Sequence, residues 1–143
     1  MAAYEQALLL DPNSAYAYNG KGNILRSLKR YKEAEEHYAR AIQLRPDYAE
    51  AYNNLGVLLS ETGRDRRAAD CFARAAALKP GYAQAVYNLG VTNVKLKKRE
   101  ASMRQLTELR NLDAELAERL YKTIFRDKVV DARSFAGAAG MKQ

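Results

Sequence analysis

Residues 49–80 read AEAYNNLGVLLSETGRDRRAADCFARAAALKP, and this stretch decides the fold. Its apolar and small residues recur at spacings of three and four, first at Ala49, Tyr52, Leu55, Gly56 and Leu59, then at Ala68, Phe72 and Ala75. That spacing places them on one face of a helix, so the stretch predicts two amphipathic helices. The turn residues Thr62, Gly63, Arg64 and Asp65 separate them. Pro80 and Gly81 stop the second, because proline cannot continue a helix.

Working outward, the phrase repeats. Pro12, Pro46 and Pro80 stand 34 residues apart, closing the runs ALLLDP at 7–12, AIQLRP at 41–46 and AAALKP at 75–80. A fixed period of this length means stacked copies of one helical unit. Gly22, Gly56 and Gly90 keep the same period inside the first helix of each pair, although glycine there costs about 1 kcal/mol relative to alanine. The partner helix carries Ala34, Ala68 and Ser102 at the matching place, with Tyr38, Phe72 and Leu106 beside it. A close crossing of two helix backbones is the compensation these residues predict. No useful length alternates with period two, so the fold class is all-α.

These residues resemble the tetratricopeptide repeat family, a 34-residue helix-turn-helix unit. Tyr52, Leu55, Gly56, Leu59, Ala68, Phe72, Ala75 and Pro80 match its pattern in one repeat. Tyr18, Gly22, Leu25, Ala34, Tyr38, Ala41 and Pro46 match in another, with Lys21 in place of the leucine. In a third, Val86, Leu89, Gly90, Ser102 and Leu106 fit, while Asn93, Leu109 and Ala114 depart. The pentatricopeptide family, one residue longer in period, fits less well. The resemblance implies a right-handed α-solenoid of stacked helix-turn-helix repeats with a C-terminal capping helix. Residues 1–12 match only the second helix of a unit, through Tyr4, Ala7 and Pro12, so the chain is read as a fragment or short array beginning in mid-repeat. Repeats follow at 13–46 and 47–80, and a divergent one at 81–112. At 113–127 a capping helix is expected, with Asp113 at its start and Leu116, Leu120 and Ile124 on one face. Residues 128–143 read as a weakly patterned tail of low intrinsic order.

The chain's 143 residues are 48% hydrophobic and 29% charged, which excludes a collagen, a disulfide scaffold and an overall disordered protein. It has no run of about 18 apolar residues, so no membrane span is expected. Cys71 is the single cysteine, which excludes an intramolecular disulfide. With no signal-peptide pattern at the N-terminus, a cytoplasmic location is the expectation. The net charge is +7, and the surplus is C-terminal: residues 81–143 hold 12 basic and 7 acidic side chains.

Catalytic chemistry finds little support. His37 and Cys71 are single representatives of their types, one period apart, and a zinc site needs about four ligands. A triad with one available histidine is a poor proposition. Gly20, Lys21 and Gly22 fall inside a predicted helix, whereas a phosphate loop needs its glycines between strand and helix. A non-catalytic interaction scaffold with no cofactor and no metal is therefore expected, alone or as the interaction module of a larger enzyme.

The resemblance implies that the first helices line a concave groove. The residues it places there are Tyr16, Asn19, Asn23, Asn53, Asn54, Val57, Tyr87, Asn88, Val91 and Lys95. Asparagine both donates and accepts, so stacked amides suit the main chain of an extended peptide or a partner helix. Replacing Asn54 and Asn88 is expected to weaken such binding without loss of stability. One subfamily clamps the terminal carboxylate of chaperones with two asparagines and three basic residues. Asn23 and Asn54 match the amides, but Asn19, Gln84 and Asn88 stand where the cations are needed, which argues against that ligand. Arg30, Arg64 and Lys98 recur at period 34 in the turns and predict a basic edge. Nucleic acid is the alternative partner there, disfavoured by the lack of aromatic stacking platforms. Tyr4, Ala7 and Leu8 lack a first helix of their own, so a homodimer through this open N-terminal end is also expected.

Overall fold

The computed structural model describes residues 1–126. Its helices are α1 (Ala2–Leu10), α2 (Ala15–Ser27), α3 (Tyr31–Leu44), α4 (Ala49–Glu61), α5 (Asp65–Leu78), α6 (Ala83–Lys95) and α7 (Arg99–Leu112), with α8 at 114–126. No strand occurs among the described residues, and the chain is an all-α helical repeat solenoid. Among the same residues, no helix is long and apolar enough to cross a membrane. Asp127 and the predicted tail at 128–143 lie outside the described residues.

The helices α2 and α3, α4 and α5, and α6 and α7 form three hairpins with matching turns. Residues 29, 63 and 97 all take left-handed backbone, at φ 59°, 78° and 59°. In each turn the next residue's N–H reaches back to a carbonyl five residues earlier: Arg30 to Leu25 at 2.9 Å, Arg64 to Leu59 at 2.8 Å and Lys98 to Asn93 at 2.8 Å. This arrangement satisfies carbonyls that the helix end leaves open. Glycine suits the left-handed position, and only the middle turn has it; Lys29 and Lys97 adopt the same geometry against their preference. The capping contacts reverse the chain as effectively as the local propensity does.

At the glycines inside the first helices, the nearest group of the partner helix is a side chain. A side-chain carbon added at Gly22 would stand 2.7 Å from the Tyr38 ring, and one at Gly56 would stand 2.6 Å from the Phe72 ring. Each glycine is thus a notch that seats an aromatic ring from the partner helix, and it is the ring that forbids a larger residue. At Gly90 the occupant changes: Leu120 of α8 lies 2.5 Å from the same position, and the expected Leu106 is not among its nearest neighbours. Tyr38, Phe72 and Leu106 are all buried nonetheless. One core joins Leu25, Tyr38, Leu55, Leu58, Leu59 and Phe72 across the first two hairpins. Another joins Val86, Leu106, Leu109, Leu116, Ala117 and Leu120, so α8 closes the third hairpin. Asp113 begins α8 by accepting the Leu116 N–H at 3.0 Å, as a cap should.

Candidate functional site

The first helices of the hairpins touch in sequence, α2 with α4 and α4 with α6. Their facing side chains are amides. Asn54 Nδ2 donates to Asn19 Oδ1 at 3.0 Å, and one period later Asn88 Nδ2 donates to Asn53 Oδ1 at 3.0 Å. Asn19 and Asn53 are buried. Asn19 donates in turn to the Tyr48 hydroxyl at 3.3 Å, and the Tyr38 hydroxyl donates to Asn23 Oδ1 at 2.7 Å. Gln84 Nε2 donates to Asn88 Oδ1 at 3.1 Å. Buried polar groups need partners, and among the described residues no buried side-chain nitrogen or oxygen lacks one.

The amides therefore latch neighbouring hairpins together. Asn19 and Asn53 face inward, and Asn54 and Asn88 are their partners, so these groove positions serve the stack as well as any ligand. An amide nitrogen carries two hydrogens, so Asn54 and Asn88 each keep one N–H beyond these bonds. The tyrosines in the network stay neutral hydroxyls at physiological pH. Burial pushes Tyr38 up to about 12 and also raises Tyr48, whose oxygen receives the Asn19 amide.

Between α4 and α6 the groove opens into a hollow of about 220 Å³. Val57, Tyr87, Asn88, Val91 and Lys95 line it, which brings together half of the ten residues expected in the groove. Ser60, Glu61 and Thr92 join them. Ser60 and Glu61 sit one period before Val94 and Lys95, so the repeat register could have found them. Lys95 Nζ donates to Ser60 Oγ at 3.2 Å, which spans the hollow's rim. Tyr16 lies apart on α2 and is 67% exposed. Its ring centre is 6.1 Å from that of Tyr4. Tyr87 is half-buried, with the Arg119 guanidinium of α8 4.9 Å from its ring centre. No register position predicts Arg119, because α8 lies outside the repeat pattern.

The remaining candidates for chemistry have structural partners. His37 Nδ1 lies 2.8 Å from the Glu33 carbonyl oxygen, and burial pushes the Cys71 thiol up to about 11. Among the described residues, no three His, Cys, Asp or Glu side chains gather to hold a metal. Gly20 and Gly22 lie within α2, where they cannot form a phosphate loop. Along the predicted basic edge, Arg30 pairs with Glu33 and Arg64 with Glu35.

Comparison with known families matches residues 22–63 to a TPR repeat, and residues 3–36 and 49–82 to a tetratricopeptide repeat. Among curated proteins, none matches the chain significantly. Several solved structures share its fold. The crystal structure of MamA aligns with a TM-score of 0.72 at 20% identity, over 92% of this chain and 88% of that one. The first TPR of Spaghetti, bound to the HSP90 peptide SRMEEVD, aligns with a TM-score of 0.75 at 20% identity, over 83% and 96%. The TPR2B domain of yeast Sti1, in a complex with pHsp70, aligns with a TM-score of 0.73 at 18% identity, over 79% and 97%.

Proposed function

We propose that this chain, which belongs to the tetratricopeptide repeat family, is a non-catalytic interaction scaffold that takes an extended peptide segment or partner helix in its concave groove. The observation that carries this reading is the hollow between α4 and α6. Val57, Tyr87 and Val91 offer apolar surface there, while Asn88, Glu61 and Lys95 offer polar groups at its margin. An apolar anchor flanked by main-chain hydrogen bonds fits such a lining. The three-repeat division at 13–46, 47–80 and 81–112, with a leading helix at 1–12 and a cap at 113–127, belongs to the same reading.

The similar structures bound to HSP90 and Hsp70 ligands support peptide binding as a use of this fold. They do not carry their ligand over, because Asn19, Gln84 and Asn88 supply no charge where a carboxylate clamp needs cations. Peptides selected from a random displayed library, then measured by calorimetry, test the proposal. Val57→Arg with Val91→Arg should weaken their binding by at least about tenfold, or ~1.4 kcal/mol, with the helical signal retained. Selected peptides that bind the folded double variant as tightly as the parent would refute the groove assignment. An end-to-end homodimer through α1 is the accompanying proposal. Sedimentation at several concentrations tests it, and a monomer throughout, unchanged by Tyr4→Glu with Leu8→Glu, counts against it.

A further inference from the structure

Each turn inside a hairpin carries a cation at period 34, but the partner of that cation changes along the stack. Arg30 is held by Glu33 of its own hairpin, at 2.9 and 2.7 Å. Arg64 is held by Glu35 of the preceding hairpin, at 3.1 and 2.7 Å, and Arg67 lies 3.6 Å from the same carboxylate. Lys98 is the third member of the series. Three residues after it, where Arg30 finds Glu33, stands Ala101; 29 residues before it, where Arg64 finds Glu35, stands Ala69. Neither replacement carries charge. Among the described residues, Lys97, Lys98 and Arg104 form no ion pair.

These side chains and Arg99 are exposed around an open hollow of about 450 Å³, in which Glu100 is the one acid among the described residues. Four cations facing one carboxylate raise a positive potential that attracts anions from a distance. We propose that this turn docks an acidic polypeptide segment, at a surface separate from the concave groove. Single-stranded nucleic acid would need exposed aromatic faces for its bases. Phe125 beside this patch is half-buried, its ring taken on one side by the Arg99 guanidinium at 5.3 Å and stacked with Tyr121 at 4.6 Å between centres.

The test is fluorescence anisotropy of a labelled decapeptide alternating Glu and Ser, titrated with the full chain at low and at physiological salt. Binding should be present at low salt and weaken as salt screens it. Lys98→Glu with Arg104→Glu should lower the affinity at least about tenfold. Lys32→Glu with Arg74→Glu makes the same change in net charge at exposed sites elsewhere, and should lower it less than about threefold. Circular dichroism confirms that both double variants remain folded. The proposal is overturned by an absence of binding at low salt or by equal losses in the two double variants. It is also overturned if an oligonucleotide of equal charge binds more tightly than the peptide and depends on Lys98 and Arg104.

Discussion

The two end helices of the stack are held in different ways. In α8, Leu116, Ala117 and Leu120 are buried, and Leu120 fills the notch at Gly90 inside a core with Val86, Leu106 and Leu109. In α1 no residue is buried. Its Tyr4 ring also covers a glycine, Gly20, but the neighbouring Tyr16 is 67% exposed, and Leu9 and Leu10 are 83% and 87% exposed. The cause is what each stripe meets. Leu116, Leu120 and Ile124 recur every four residues and enter the core of the third hairpin, whereas Tyr4, Ala7 and Leu8 lie half-buried against α2 alone among the described residues. An end helix is fastened by a stripe that enters a shared core; apolar content by itself does not fasten it.

The same substitution at an inner notch and at an end notch should have unequal effects. Gly56→Leu should cost about 3 kcal/mol, at the upper end of overpacking effects, because the Phe72 ring is buried in the shared core. Gly20→Leu should cost about 1 kcal/mol and reduce the helical signal of α1, since the Tyr4 ring can swing into solvent. Equal thermal shifts would contradict the notch account.

A comparable contrast holds between the end helices themselves. Leu120→Ala should lose about 2–5 kcal/mol by opening a cavity, whereas Leu9→Ala should change stability by less than about 0.5 kcal/mol. Denaturant titrations of both variants measure the difference, and similar losses would mean that α1 is docked as firmly as α8.

Between the ends, the amide latches predict an intermediate effect. Asn54→Ala with Asn88→Ala removes the donors to two buried carbonyl oxygens, and should cost about 1–3 kcal/mol. The stability-neutral outcome expected from sequence is therefore replaced. Loss of peptide binding in this variant has to be judged against its lower melting temperature.

A small and pH-dependent effect belongs to the Arg64–Glu35 pair at the joint of the first two hairpins. The Arg64 hydrogen bond holds the Glu35 carboxyl below its ordinary range. A depressed carboxyl stabilises the fold above its unfolded pKa, and the contribution disappears as pH falls through the folded value. Both side chains are partly exposed, at 38% and 27%, so screening limits the gain to about 0–1 kcal/mol. Arg64→Met should lower stability by that amount at pH 7 and match the parent in acid, once the Glu35 carboxyl is protonated in both folded and unfolded chains. A difference that persists in acid would assign the effect to packing.

Much of the fold was legible in the sequence because its signals are local and repeated. The 34-residue period, the prolines and the i, i+4 stripes each act within one or two helical turns, and repetition confirmed the register. Register also places Val57, Asn88, Val91 and Lys95 near one another, and they line one hollow. Arg119 over Tyr87 was not legible, since α8 is outside the repeat.

By itself, then, the sequence determined an all-α stack, its hairpin turns, its buried faces and the candidate lining of its groove, because periodic patterns specify which side of a helix is apolar. Only the tertiary structure decided which partner each patterned residue meets. It seated Tyr38, Phe72 and Leu120 in the glycine notches and turned Asn19 and Asn53 inward onto the amides of the next hairpin. It also paired Arg64 while leaving Lys98 without an acid among the described residues. Those choices depend on distances between helices far apart in sequence, where close packing and hydrogen-bond satisfaction act.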